Sequence, residues 1–79
     1  MTLQQLRYVI QAADSRSMNE AAKALYISQP SLSEAIKELE KEIGIELFKR
    51  SSHGTVLTPE GEEFLGYARQ VTDQYQLLE

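Results

Sequence analysis

The sequence predicts a mainly α fold: three helices, a two-stranded hairpin and a long final helix. Three observations lead there. Apolar residues recur at helical spacing in three runs before residue 44 and in a fourth after residue 59. A Ser or Thr stands ahead of each run, where a helix N-cap belongs. Between residues 45 and 57 the helical period gives way to two short strand-like runs around a cluster of turn formers. With 79 residues, these elements must share one modest core.

The first run is Leu3, Leu6, Val9, Ile10 and Ala13, an amphipathic stripe with Thr2 as its N-cap. Asp14-Ser15-Arg16-Ser17 breaks it with turn-forming residues. Ser17 then caps a second, short helix, because Glu20 lies three residues on at the capping-box spacing. Ala21, Ala22 and Leu25 continue that helix, and Tyr26-Ile27-Ser28 reads as a turn. Ser28 is the third cap. Pro30 falls in the first turn of the next helix, where a missing N–H costs nothing. Leu32, Ile36, Leu39 and Ile43 carry this third helix to Gly44, which ends it.

Ile45 to Arg50 and Thr55 to Leu57 read as strands, with Ser51-Ser52-His53-Gly54 as the turn between them. A lone hairpin is marginal in water, so it must lean on the helices. Thr58-Pro59-Glu60 opens the last helix with a cap, a Pro and a first-turn acid. Phe64, Ala68, Val71, Tyr75 and Leu78 follow at spacings of 4, 3, 4 and 3, the a/d seam of a coiled coil. The start of the seam is expected to serve the core under the first helix, and Val71, Tyr75 and Leu78 a partner chain. All five are the candidate dimer face. The pattern is still running at Glu79, so a longer parent chain is expected. A short helix, a tight turn and a longer helix opened by small polar residues are what a helix-turn-helix requires, and the hairpin directly after makes it winged. Residues 1–58 are read as that winged unit and residues 59–79 as a linker and dimerisation helix.

Composition narrows the function. A hydrophobic share of 42% with 25% charged residues is ordinary globular usage, away from the disordered extreme. No Cys is present, which excludes a disulfide scaffold, a thiolate zinc site and a cysteine nucleophile. A single His leaves a His-rich metal site or a His-paired triad nothing to work with, and His53 reads as exposed turn filler. No metal and no cofactor is expected in this domain. No apolar run approaches the roughly 20 residues that cross a bilayer, and the first five residues lack the marks of a signal peptide, so a cytoplasmic protein is expected. The net charge is −4, which is not the footprint of a whole-surface polyanion binder. Its distribution matters more: residues 51–79 carry only Arg69 against Glu60, Glu62, Glu63, Asp73 and Glu79.

Chemistry concentrates in Ser28-Gln29-Pro30-Ser31-Leu32-Ser33. At the start of a recognition helix, Gln29 can offer its amide bidentately to adenine, and Ser31 and Ser33 can bond bases or phosphates. The free N–H groups behind the Ser28 cap also favour a phosphate. The plainer reading is that Ser, Gln and Pro are simply good helix-start residues. Lys49, Arg50 and Ser51 at the hairpin tip can reach phosphates or a minor groove; the plainer reading there is a solvated turn. Glu38, Glu40, Lys41 and Glu42 read as a solvated helix face pointing away from DNA, and Glu62, Glu63 and Arg69 likewise as solvated. Lys37, on the face it shares with Lys41, joins the backbone-contact set.

The segments Leu6-Arg7-Tyr8, Ser17 to Ala22, Leu25 to Ser33, Ile36 to Glu40, Ile43 to Arg50 and Leu57 to Gly61 together resemble the start of LysR-type transcriptional regulators. The resemblance covers essentially the whole chain at matching spacing. It implies a winged helix-turn-helix whose last helix pairs with a second subunit on an interrupted palindrome of double-stranded DNA. It also implies a C-terminal domain, absent from this chain, that binds a small-molecule effector and drives tetramer assembly. Residues matching Gln29, Pro30 and Ser33 meet the major groove in that family, and the one matching Arg50 serves the wing. Glu34 departs from the pattern, since many members carry a basic residue there. That puts one DNA contact in doubt and points to weaker binding or a preference for cytosine N4. The competing reading is a winged-helix interaction module that has lost DNA binding, favoured by the acidic balance and Glu34. An enzyme has no support: no nucleophile–base pair and no phosphate loop is visible.

Overall fold

The structure, a computed structural model, describes residues 1–52 and 54–79, so the reading of His53 lies outside it. Four helices and one hairpin follow in the expected order: α1 (Leu3–Asp14), α2 (Met18–Leu25), α3 (Gln29–Ile43), β1 (Phe48–Ser51), β2 (Gly54–Leu57) and α4 (Pro59–Leu78). Each helix starts at its predicted cap. The hydroxyls of Thr2, Ser17, Ser28 and Thr58 accept from the backbone N–H of Gln5, Glu20, Ser31 and Gly61. Each such bond satisfies an N–H that the helix itself leaves orphaned.

The turn between α2 and α3 is tight because Tyr26 takes a left-handed conformation, φ 59°, with its N–H bonded back to α2. Ile27 N–H also returns, 3.0 Å from the Ala22 carbonyl. A non-glycine residue holds that conformation at a cost of roughly 1–2 kcal/mol, which the returned bonds and the packing around Ile27 offset. Gly44, at φ 71°, ends α3 in the same backbone region without that cost.

The apolar stripes of α1, α2 and α3 meet in one core, where Val9, Leu32, Leu39 and Leu47 are fully buried. Each such side chain contributes on the order of 1.5–3 kcal/mol by leaving water. Helix α4 lies along α1. The Asp14 carboxylate and the Arg69 guanidinium clip the two together with hydrogen bonds of 2.6 and 3.3 Å. The bonded carboxylate raises the guanidinium above its ordinary pKa. Arg69 is therefore a clip between helices, not the freely solvated charge that the spacing suggested. Its partner lies 55 residues away, outside any local pattern.

The hairpin starts later than predicted. Pairing runs from Phe48↔Leu57 to Ser51↔Gly54, so Ile45, Glu46 and Leu47 are not strand. Beyond Leu57 the partner chain has already turned at Thr58 to begin α4, which leaves nothing to extend the ladder. Leu47 is held otherwise. Its carbonyl accepts from Thr58 N–H at 2.9 Å, and its N–H donates to the Glu40 carboxylate at 2.7 Å.

The seam of α4 also divides differently. Ala68 is only 2% exposed, and Phe64 packs partly buried against the core, so both are taken up within the chain. The dimer face expected of all five seam residues therefore loses Ala68, which is buried within the chain, while Phe64 is half-buried against the core. Val71, Tyr75 and Leu78 remain exposed at 47%, 38% and 87%. Among the described residues, no helix is long and apolar enough to cross a membrane.

Gly61 is where α4 passes closest to the α3–β1 connection. A Cβ there would run into the backbone carbonyl of Leu47, which cannot retreat without breaking its bond to Thr58. Gly61→Ala should therefore destabilise the chain by about 1–3 kcal/mol in urea unfolding, although Ala is the better helix former. Unchanged stability would mean that the crossing is loosely packed.

Candidate nucleic-acid interface

Burial of Leu32, Ile36 and Leu39 against the core fixes which side of α3 faces out. Helical spacing then sets Gln29, Ser33, Lys37 and Lys41 in one outward row, four residues apart, with Pro30, Glu34 and Glu38 beside it; Gln29 and Ser33 are half-buried and the others exposed. The side chains at the helix start are bonded to one another. Ser28 Oγ donates to Ser31 Oγ at 2.8 Å, and Gln29 Nε2 donates to Ser33 Oγ at 2.7 Å. The Gln29 amide is thus oriented along the helix. Its Oε1 and its second N–H are the atoms that a base edge would need.

The wing supplies the other wall. Gln29, Pro30, Ser33, Glu34, Lys37, Glu38 and Lys41 of α3 line one open groove together with Arg50 of β1. An adjoining cleft of about 320 Å³ brings Lys49, Arg50 and Thr55 next to Ser33, Lys37 and Glu40. The structure therefore gathers Gln29, Pro30, Ser33, Lys37, Lys49 and Arg50 of the predicted set on one side of the molecule. Ser28 and Ser31 sit exposed at the helix start just outside these grooves. Ser51 is exposed at the end of β1, where its hydroxyl donates to the Gly54 carbonyl at 2.9 Å.

Glu40 was expected to be a solvated charge and is not. Its Oε2 accepts from both Leu47 N–H, at 2.7 Å, and Phe48 N–H, at 3.2 Å. The carboxylate ties the far end of α3 to the first residue of the wing and so sets where Lys49 and Arg50 stand. Nothing in the local sequence marks this role, because both bonds close only when the chain doubles back after Gly44. Its neighbour Glu42 stays exposed and pairs with the N-terminal ammonium at 2.6 Å.

Charge on the groove is mixed: Lys37, Lys41 and Arg50 against Glu34 and Glu38. Among the described residues, the ion pairs are Met1–Glu42, Lys23–Glu20 and Arg69–Asp14, so no groove charge is spent on a neighbour. The acids of α4 line neither groove. Among the described residues there is no cluster of His, Cys, Asp and Glu able to hold a metal ion.

Comparison with known proteins gives a consistent answer. The model of the family described as bacterial regulatory helix-turn-helix protein, lysR family, matches residues 3–62. The chain is 43% identical over 76 residues to the HTH-type transcriptional regulator YxjO of Bacillus subtilis, covering 96% of this chain and 26% of that one. It is 52% identical over 64 residues to BudR of Klebsiella aerogenes, covering 81% of this chain and 45% of that one. Its structure resembles that of the BenM DBD in complex with benA site 1 DNA, with a TM-score of 0.93 and 38% identity over 99% of this chain and 88% of that one. The chain thus spans about a quarter of the length of YxjO.

The Glu40 tie can be tested directly. Glu40→Ala strands two amide N–H groups, and should cost roughly 1–3 kcal/mol of stability and speed hydrogen exchange at Leu47 and Phe48. Glu40→Gln keeps an acceptor oxygen and should retain most of the protection. Exchange at both amides unchanged in Glu40→Ala would show that the wing holds its place without the carboxylate.

Proposed function

The chain belongs to the LysR family of bacterial regulatory helix-turn-helix proteins, and from that premise we propose that it binds double-stranded DNA sequence-specifically, as the N-terminal module of a transcription regulator. The observation that carries this reading is the single groove in which the outward row of α3 meets Arg50 of the wing. A helix is about as wide as the major groove of B-DNA, and the first turns of a recognition helix face the base edges. Gln29 is the base reader. With one N–H held by Ser33, its other N–H and its Oε1 match the N7 and N6 of adenine. Pro30, Ser31 and Ser33 complete the base-facing set. Ser28, Lys37, Lys49, Arg50 and Ser51 hold the sugar–phosphate backbone or the minor groove. The BenM domain that the chain resembles was determined on its DNA, which supports the same docking here.

A second copy completes the reader. Val71, Tyr75 and Leu78 border, with Leu3 and Leu77, an exposed apolar groove along the end of α4. Pairing two such faces buries them and sets two recognition helices on the halves of an interrupted palindrome. Residues 1–58 form the DNA-binding unit, and residues 59–79 the helix that both closes its core and reaches the partner. In the longer regulator, a further domain would bind a small-molecule effector and build a tetramer. The work is regulatory rather than enzymatic, needs no cofactor in this domain, and belongs in the cytoplasm with the chromosome.

A salt titration of binding to duplex DNA tests the reading. Affinity should fall linearly on logarithmic axes, and Arg50→Ala should flatten the slope by about 0.9 per lost phosphate contact, on specific and unrelated duplexes alike. Gln29→Ala should lose affinity for the preferred site by about 1–3 kcal/mol and leave unrelated DNA nearly unaffected. Salt-independent binding, or none, would overturn the proposal. Val71→Asp places a charge on the apolar face and should shift sedimentation from dimer to monomer at high protein concentration. A monomeric unsubstituted chain at that concentration would remove α4 as the dimer contact.

A further inference from the structure

We propose that Glu34 is a specificity-determining residue that selects cytosine within the bound site, an inference that rests on the DNA-binding reading above. Glu34 stands on the exposed face of α3, one helical turn after Pro30 and beside Ser33, in the groove closed by Arg50. None of the ion pairs among the described residues uses it, although Lys37, Lys41 and Arg50 line the same groove. Docking α3 on DNA therefore carries an unneutralised carboxylate toward a polyanion. A carboxylate offers only acceptors, so it needs a donor when water is removed from around it.

The major-groove edges of the bases decide what that donor is. Guanine presents two acceptors and thymine one acceptor and a methyl, and neither relieves the charge. Adenine offers its N6 amino group with the N7 acceptor alongside, which repels the second carboxylate oxygen. Cytosine offers its N4 amino group with no acceptor of its own on that edge. Glu34 thus acts as much by rejecting other bases as by holding cytosine, because guanine and thymine leave the carboxylate desolvated and unpaired and adenine pairs one oxygen while repelling the other. Gln29 reads the first turn of α3 with an amide, and Glu34 reads the second with an acid.

The test is selection of sites from a randomised duplex library with the wild-type chain, Glu34→Gln, Glu34→Ala and Glu63→Gln. Glu63 is exposed on α4 and lies outside the groove, so its variant removes the same charge without touching the interface. The wild type should enrich cytosine at one position per half-site, by about tenfold over the other bases, equivalent to about 1.4 kcal/mol. Glu34→Gln should move that position to adenine, since an amide matches N6 and N7 together. Glu34→Ala should leave the position without preference, and Glu63→Gln should keep cytosine. Affinity for duplexes without that cytosine should rise in both Glu34 variants, so the ratio between bases, not the total, is the readout. A wild-type motif in which every cytosine persists in Glu34→Gln and Glu34→Ala overturns the inference and leaves the DNA-binding reading standing. If the wild type enriches no sequence, that reading itself fails.

Discussion

Leu47 is the joint on which the rest of the structure depends. Its side chain is fully buried in the core, its N–H donates to Glu40 at the end of α3, and its carbonyl accepts from Thr58 at the start of α4. One residue thus fixes three elements relative to one another: the helix that faces out, the wing that follows, and the helix that closes the core. Thr58 reinforces it, because its hydroxyl donates to the Glu46 carbonyl at 2.5 Å while accepting from Gly61 N–H at 2.8 Å. The wing is two strands of four residues and would not hold its shape in water. It stands where it does because its base is anchored on both edges.

The legible part of the fold was the part that local chemistry decides. Four Ser or Thr caps, the Pro residues behind two of them, and the apolar spacing of each helix gave the boundaries, since those signals act within one or two turns. The face of α3 was legible for the same reason: once Leu32, Ile36 and Leu39 are buried, Gln29, Ser33 and Lys37 have only one side left. What was not legible depends on partners far along the chain. Glu40 looked like any acid in a charged run until the chain returned to present two amides to it. Arg69 found Asp14 across the whole domain, and Ala68 is buried within the chain. Ile45 and Leu47 alternate like a strand, yet β1 begins only at Phe48, because Leu47 is spent on anchoring.

Helix α4 shows how one seam can carry two duties in succession. Its first half presents Phe64 and Ala68 to the core, and its second half presents Val71, Tyr75 and Leu78 to solvent along the same stripe. The 4-3-4-3 spacing does not change between them, and α1 runs on beside the second half, from Asp14 at Arg69 to Leu3 at the groove lined by Leu77 and Leu78. Arg7 of α1 stands within that second half, 5.6 Å from the centroid of the Tyr75 ring. The stability of the domain and the proposed pairing with a second copy therefore draw on one continuous surface.

An acidic chain can still engage a polyanion, because electrostatics in salt is local. The Debye length is about 8 Å at physiological ionic strength, and the molecule is 40 Å in its longest extent. Asp73 and Glu79 lie roughly 20–30 Å along the axis of α4 from its first residue at 1.5 Å per residue, so they are screened from the hairpin end of that helix. What DNA meets in the groove is three cations and two acids, not the net −4 of the whole chain. That balance favours phosphate contacts while keeping them few. A reader with weak sequence-independent attraction must draw more of its affinity from the base edges, which is the role proposed for the Gln29 amide and the Glu34 carboxylate on the outward face of α3.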